Sequence, residues 1–209
     1  MGDPVQNGFV ASLAHPGGNI TGFTSFEASI WGKALEVLKQ VASDVARVAV
    51  ILNPDQAPQA GMLRAVEAAA PTLGVTATAT PVHNAADIER AINEFAREPN
   101  GGLIVLPNGP TTVHRELIIA LAARHRLPAI YPYRHFVEDG GLMCYGLDLA
   151  DQYRAAAAYV DRILRGEKPA DLPVLQPTKF ELVINLTSAK ALGLTIPASI
   201  LSLADQLIE

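Results

Sequence analysis

The 209-residue sequence contains a single cysteine, Cys144, and this scarcity excludes several kinds of protein. A lone cysteine cannot form a disulfide within the chain, and no Cys or His spacing typical of a zinc site accompanies it. Cys144 lies in the apolar run Leu142–Tyr145 and is predicted to pack as a small hydrophobic side chain. The lack of disulfides is compatible with reducing and oxidising compartments alike, so it does not decide localisation.

The sequence also contains few positively charged residues and few long apolar runs. The 16 lysines and arginines are outnumbered by 21 acidic residues, and the net charge is −5. The cations are scattered, with Arg124–Arg126 as the densest cluster, so no nucleic-acid surface is predicted. No apolar stretch reaches the ~18 residues that a membrane span needs. The segment Met1–Gln6 has neither the basic nor the apolar region of a secretion signal.

The short motifs of common enzyme families are missing as well. There is no GxSxG elbow, no phosphate-binding GxxxxGK[ST] loop, no HExxH helix and no GxGxxG after a strand. None of the five histidines forms the i, i+4 pair of a helical metal site. The sequence therefore predicts no catalytic residues, no metal and no cofactor.

What the sequence does contain is a regular alternation of strand and helix patterns. Continuous apolar runs at 47–52 and 102–106 are typical of strands buried on both faces of a sheet. Helical patterns of about 10–15 residues separate such runs, which predicts right-handed βαβ units. The expected fold is therefore α/β, with a doubly wound parallel sheet. Outside this alternation, helices are predicted at 5–14 and 197–208 and a short strand at 20–24.

Polar or aromatic side chains stand where three of the predicted strands end. These are Asn53 and Asp55, Asn108 and Thr111, and Tyr131 with Tyr133. In an open parallel sheet, ligands bind in the crevice outside the carboxyl ends of the strands. The same residues also fit ordinary roles, because Asn-Pro-Asp and Asn-Gly-Pro are turn sequences and Tyr131 suits a core. Their shared position at one edge predicts a ligand site.

Several stretches resemble the ABC-transporter substrate-binding family that includes tryptophan- and tyrosine-type solute receptors. The most distinctive are Pro-Gly-Gly-Asn-Ile-Thr-Gly at 16–22 and Arg-Gly-Glu-Lys-Pro-Ala-Asp-Leu-Pro at 165–173. Further matching stretches are Asp3–Val5, Val48–Pro54, Leu103–Pro107 and Tyr145–Gly146. The resemblance covers essentially the whole chain. It implies a periplasmic receptor, not an enzyme, which binds a small organic solute in a cleft between two lobes and delivers it to an ABC permease.

The resemblance also implies how the chain is divided, with most of the N-terminal lobe of such receptors lacking. The expected parts are 1–25 as a remnant of lobe 1 and the first crossing, 26–145 as lobe 2, 146–176 as a return to lobe 1, and 177–209 packing on lobe 2. Apolar lobe 1 surface around 5–13 and 149–165 would then be exposed, which predicts a homo-oligomer.

Two further site residues come from the resemblance alone. The loop Asn53–Gln56 is similar to a ligand loop of the family, which adds Gln56, and Tyr145 matches a segment near the hinge. Aromatic amino-acid receptors of the family have Thr-Asp-Asn in the second loop, where this chain has Asn108-Gly109-Pro110. That loop offers no carboxylate to a ligand ammonium group, which argues against an amino-acid ligand.

Other functions remain compatible with the sequence. The chain could be a truncated product that no longer binds solute. It could equally be a small-molecule enzyme on a flavodoxin-like α/β domain, because fold does not fix function. A sugar-responsive transcription regulator would need a helix-turn-helix, which the sequence does not contain.

Overall fold

A computed structural model describes residues 4–5, 7–24 and 28–209. The described chain divides into two compact units. The first consists of the described residues before Ala28 together with Leu147–Phe180, and the second of Ala28–Gly146 and Glu181–Glu209. The division predicted between residues 25 and 26 lies outside the described residues. The assignment of these parts to receptor lobes stays a prediction.

A seven-stranded sheet forms the centre of the second unit. Its strands are β1 Arg47–Leu52, β2 Thr76–Pro81, β3 Gly101–Val105, β4 Ala129–Tyr131, β5 Met143–Leu147, β6 Phe180–Asn185 and β7 Gln206–Ile208. Their spatial order is β2-β1-β3-β4-β5-β6-β7. Strands β1 to β5 run parallel to their neighbours, which confirms the predicted doubly wound α/β fold.

Helices cover both faces of this sheet. They are α1 Ile30–Val41, α2 Ala57–Ala69, α3 Ala85–Phe95, α4 Gly109–Val113, α5 Arg115–Arg124, α6 Arg134–Glu138, α8 Leu186–Ala191 and α9 Ala198–Leu201. Helix α7, Leu149–Leu164, belongs to the first unit. On one face, Leu38 of α1 lies against Gly102 of β3. On the other, Ile88 of α3 and Ile118 of α5 join one buried cluster with Ile51 of β1. Burial on both faces is why β1 and β3 read as uninterrupted apolar runs.

The C-terminal part of the sheet departs from the prediction. The segment 197–208 was expected to be one helix, but only Ala198–Leu201 is helical and Gln206–Ile208 forms β7, parallel to β6. The carboxylate of Asp205 accepts a hydrogen bond from the Leu182 amide at 2.8 Å, and the Asp205 amide donates to the Leu182 carbonyl at 2.9 Å. Pairing with β6 therefore overrides the helical spacing of the apolar residues in this segment.

The first unit is built around α7. The carboxylate of Asp148 accepts from the Asp151 amide at 3.0 Å and caps this helix. The Tyr159 hydroxyl donates to the Pro173 carbonyl at 2.8 Å, and the Tyr159 ring lies 5.0 Å from that of Phe23. These contacts hold α7 against the segments on either side of it in sequence.

Two predictions for the start of the chain are wrong. The described part of 5–14 is a series of turns instead of a helix, with the Phe9 amide donating to the Pro4 carbonyl at 2.9 Å. Gly8 has φ 71°, a left-handed conformation that ends helical geometry, and an isolated segment of this length is marginal as a helix. The strand expected at 20–24 is reduced to a single bridge between Phe23 and Leu175.

Gly146 supplies a stability test of the packing beside β4 and β5. A Cβ at this position would overlap the carbonyl oxygen of Pro132, a backbone atom that cannot rotate away. We expect Gly146→Ala to lower the free energy of unfolding by roughly 1–3 kcal/mol, measured by urea titration. The matched control is Gly61→Ala inside α2, where the added Cβ would lie 3.8 Å from that of Ala28. That change should raise stability by about 0.5–1 kcal/mol, and equal effects of the two would contradict the packing.

Candidate functional site

The sheet has a topological switch point between β1 and β3. The chain leaves β1 into α2, which packs with α1, and leaves β3 towards α5, which packs with α3 on the opposite face. Because the two connections diverge, the carboxyl ends of β1 and β3 bound a crevice, where ligands of doubly wound sheets bind. The loops at this edge are Asn53–Gln56 after β1 and Leu106–Asn108 after β3.

The buried side chain of Gln59, in the first turn of α2, joins these two loops. Its Oε1 accepts a hydrogen bond from the Asn53 backbone amide at 2.6 Å, and its Nε2 donates to the Pro107 carbonyl at 2.9 Å. Gln59 is only 1% exposed, so neither loop can replace these bonds with water while the fold is intact. One amide group therefore links the two loops directly.

The first loop carries the exposed polar groups of the edge. The Asn53 Oδ1 accepts from the Asp55 amide at 3.0 Å, which closes an Asx turn and leaves the Asp55 carboxylate outside. Asp55 Oδ2 lies 3.4 Å from His83 Nε2, and His83 Nδ1 lies 3.5 Å from Asp87 Oδ2. A hydrogen bond from the His83 backbone amide lowers the pKa of Asp87 below its usual value. Gln56, which ends the loop, is half-buried.

The second loop is held by its own polar side chains. Asn108 Oδ1 accepts from the Thr111 amide at 2.8 Å, and its Nδ2 donates to the Leu106 carbonyl at 3.1 Å. Thr111 Oγ1 donates to the same carbonyl at 3.0 Å. Asn108 is 7% exposed and Thr111 fully buried, so both shape the loop from within. Direct contact of either with a ligand stays a prediction.

The three candidate tyrosines, Tyr131, Tyr133 and Tyr145, are partly or fully buried. The Tyr131 ring is buried, stacks on Phe136 at 5.1 Å, and faces a cavity of about 90 Å³ shared with Gly141 and Ser188. Burial raises the pKa of Tyr131 far above its usual value, so the hydroxyl stays protonated. Tyr145 is half-buried on β5, and burial also raises the pKa of Tyr133. Gln59 thus connects the loop that carries Asn53, Asp55 and Gln56 with the loop that leads to Asn108 and Thr111, and Tyr131 lies in the core.

Gln59 was missed by the sequence prediction, although a signal for it exists. The buried residues of α2 are Gln59, Met62 and Val66, which share one helical face. A polar residue in register with a buried apolar stripe must find partners inside the protein. The sequence could therefore have marked Gln59 as a buried polar residue with partners inside the protein, though not which partners.

Two features of the described side chains bear on chemical reactivity, the thiol of Cys144 and the grouping of possible metal ligands. Burial raises the pKa of the Cys144 thiol to about 12, so the cysteine remains protonated and shielded. Among residues 4–5, 7–24 and 28–209, no group of three or more His, Cys, Asp or Glu side chains is arranged to hold a metal ion. The same residues include no helix that is both long and apolar enough to cross a membrane.

The fold is of the type I periplasmic-binding-protein class, which is also that of the similar solved structures compared below. The model of the ABC transporter substrate binding protein family matches residues 1–208. The chain belongs to this family.

Three similar proteins illustrate the relationship. A tyrosine-binding protein of Clostridioides difficile is 26% identical over 92% of this chain, which spans 55% of the length of that relative. A conserved domain protein of Vibrio cholerae, solved by crystallography, is 27% identical with a TM-score of 0.86 over 98% of this chain and 68% of its own. An ABC domain of Streptococcus pneumoniae in complex with L-Trp is 25% identical, with a TM-score of 0.86 over 99% of this chain and 70% of its own.

The role of Gln59 can be tested by removing its amide. Gln59→Leu leaves the Asn53 amide and the Pro107 carbonyl without their partner, so we expect the free energy of unfolding to fall by about 1–3 kcal/mol. The matched control is Gln40→Leu on the exposed side of α1, which should change stability by less than about 0.5 kcal/mol. Urea unfolding measures both. Equal stability of the Gln59 variant and the parent protein would contradict the bridging role.

Proposed function

We propose that this protein is the solute-binding component of an ABC importer. It works in the periplasm, binds a small organic solute in a cleft of the periplasmic-binding-protein type, and passes the solute to an ABC permease. The edge that follows β1 and β3 forms one wall of that cleft. The single observation that carries the proposal is the crevice at the switch point, framed by Gln59, in a chain that matches the substrate-binding family over residues 1–208.

Binding, instead of catalysis, is the activity that the side chains at this edge favour. Asn53, Asn108 and Thr111 direct their polar atoms to backbone groups, where they fix the loops in place. A catalytic site needs a nucleophile or proton donor aimed outward and matched to a base. Fixed loops around a crevice suit recognition of a preformed ligand, because little ordering is required on binding.

We propose that the solute is an amino acid. Relatives of this chain are named for tyrosine and are solved with L-Trp. The loop Asn108-Gly109-Pro110 has no carboxylate, but a carboxylate from the other loop at this edge can meet a ligand ammonium group. Asp55 lies at the same edge of the sheet, its side chain is exposed, and its ion-pair partner among the described residues is His83 at 3.4 Å. We assign to Asp55 the contact with the ligand ammonium group.

Isothermal titration calorimetry tests this assignment with matched ligands. The panel contains L-tyrosine, L-tryptophan, the corresponding propionates that lack the ammonium group, and neutral sugars. We expect Asp55→Asn to weaken amino-acid binding about 10- to 100-fold, as for the loss of a charged hydrogen bond. The control is Asp44→Asn, an exposed carboxylate near the amino end of β1, which should leave affinity unchanged.

Each result separates the proposal from its alternatives. If the propionates bind with the same affinity as the amino acids, the ammonium contact is refuted, but the proposal that the protein binds solute still stands. No heat from any solute at millimolar concentration would contradict the receptor function and favour a non-binding remnant. Chemical conversion of a ligand during the titration would favour the small-molecule enzyme.

A further inference from the structure

The imidazole ring of His83 lies between two carboxylates at the edge of the sheet that carries the candidate site. His83 follows β2, and its Nε2 lies 3.4 Å from Asp55 Oδ2 while its Nδ1 lies 3.5 Å from Asp87 Oδ2. A neutral imidazole has one N–H group, whereas the protonated ring has an N–H group on each nitrogen. Only the protonated ring can therefore donate to both carboxylates at once.

The two carboxylates differ in how firmly they are held. Asp87 lies in the first turn of α3, where it accepts hydrogen bonds from the His83 backbone amide at 3.1 Å and from the Arg90 guanidinium at 2.7 Å. Its side chain is 18% exposed, whereas that of Asp55 is 76% exposed. Asp87 is thus fixed by bonds of its own and anchors the ring, and Asp55 is the carboxylate whose charge depends more on His83.

The order of the strands places His83 and the crevice on opposite sides of Asp55. Because β1 lies between β2 and β3 in the sheet, the carboxyl ends of β2, β1 and β3 follow one another along the edge. The loop with Asp55 follows β1, so His83 approaches its carboxylate from the β2 side. A solute in the crevice between the β1 and β3 loops approaches the same carboxylate from the other side.

We propose that His83 regulates amino-acid binding through Asp55, because the protonated ring and the ligand ammonium group compete for the charge of the same carboxylate. When His83 loses its proton, Asp55 attracts the ligand more strongly, and binding of the ligand in turn promotes release of that proton. His83 acts on the ligand only through Asp55 and is a positioning residue. The inference rests on the amino-acid function proposed above and on the contact assigned there to Asp55.

The charges around the ring favour this coupling. Among the described residues, Asp55 from the β1 loop and Asp87 from α3 face His83, and Arg90 pairs with Asp87. The β3 loop, Leu106–Asn108, contains no charged residue. Since Arg90 already balances the charge of Asp87, the positive charge of the protonated ring acts mainly on Asp55. The groups are exposed and screened by solvent, so we expect a moderate effect on affinity, about three- to tenfold.

The sign of the pH dependence follows from the competition. Histidine gains and loses its proton between about pH 5 and 8. Carboxylates remain ionised from about pH 5.5 to 7.5, and the ammonium group of a free amino acid keeps its proton over this range. A change in affinity within these limits therefore reports on a histidine. Protonation of His83 at lower pH should weaken binding, and affinity should rise with pH.

Isothermal titration calorimetry with L-tryptophan at about pH 5.5 and 7.5 measures this dependence. For the 209-residue protein we expect affinity about three- to tenfold higher at the higher pH. His83→Gln cannot be protonated and should bind at both pH values as tightly as the parent protein does at the higher one. The matched control is His15→Gln, a change of an exposed histidine in the first unit, which should keep the parent profile. Circular dichroism checks that each variant is folded.

Two further measurements separate the charge of the ring from its shape. His83→Arg keeps a cation beside Asp55 at every pH, so it should bind at both pH values as weakly as the parent protein does at the lower one. Titrations of the parent protein at about pH 6.5, in buffers of different ionisation enthalpy, should show partial release of a proton on binding. His83→Gln should show no such release, because it lacks the group that loses the proton.

The possible outcomes distinguish failure of this inference from failure of the proposed function. Affinity of the parent protein that does not change with pH, or an unaltered pH profile in His83→Gln, would overturn the role of His83 and leave amino-acid binding in place. Binding by His83→Arg at low pH as tight as that of the parent protein at high pH would overturn the competition for Asp55. Absence of heat from the parent protein at both pH values would contradict amino-acid binding itself, and this inference with it.

Discussion

The amide side chain of Gln59 is the constraint on which the candidate site depends. Two parallel strands bring their carboxyl ends to the same edge, but the loops that follow leave towards opposite faces of the sheet. Gln59 accepts from the Asn53 backbone and donates to the Pro107 backbone, so one rigid planar group spans the gap. An amide is suited to this position because it offers an acceptor and a donor at a fixed separation without a charge to bury. The Asx turn at Asn53 and the capping box of Asn108 and Thr111 then shape each loop separately.

The central fold could be predicted because its signals are local and repeated. Strands such as β1 and β3 are covered on both faces, so their apolar runs are continuous and cannot be confused with amphipathic helices. The ends of the chain depend on long-range partners instead. The segment Gln206–Ile208 becomes a strand because β6 offers a free edge, and no periodicity within the segment reveals that edge. Around Gly8, a left-handed residue and turn hydrogen bonds replace the helix that apolar spacing predicted.

The site was only partly predictable for a related reason. Polar residues after parallel strands do converge on one edge, and the topology guarantees this once the strands are placed. Their individual roles depend on where each side chain finds a hydrogen-bond partner. Asn108 and Thr111 turn inward to the Leu106 carbonyl, Tyr131 enters the core against Phe136, and Asp55 remains outside. The same residue types at the same spacing serve as turn formers or as ligand contacts, so sequence alone cannot separate the two.

We propose that solute is recognised by the two loops that Gln59 joins. The most direct measurement is a titration of the ¹⁵N-labelled protein with L-tyrosine. It follows the chemical shifts of the backbone amides and of the Gln59 side-chain amide. We expect the largest shifts at residues 53–59 and 106–111, together with a shift of the Gln59 side-chain signal. Shifts confined to other parts of the chain, with both loops and Gln59 unaffected at saturation, would contradict it.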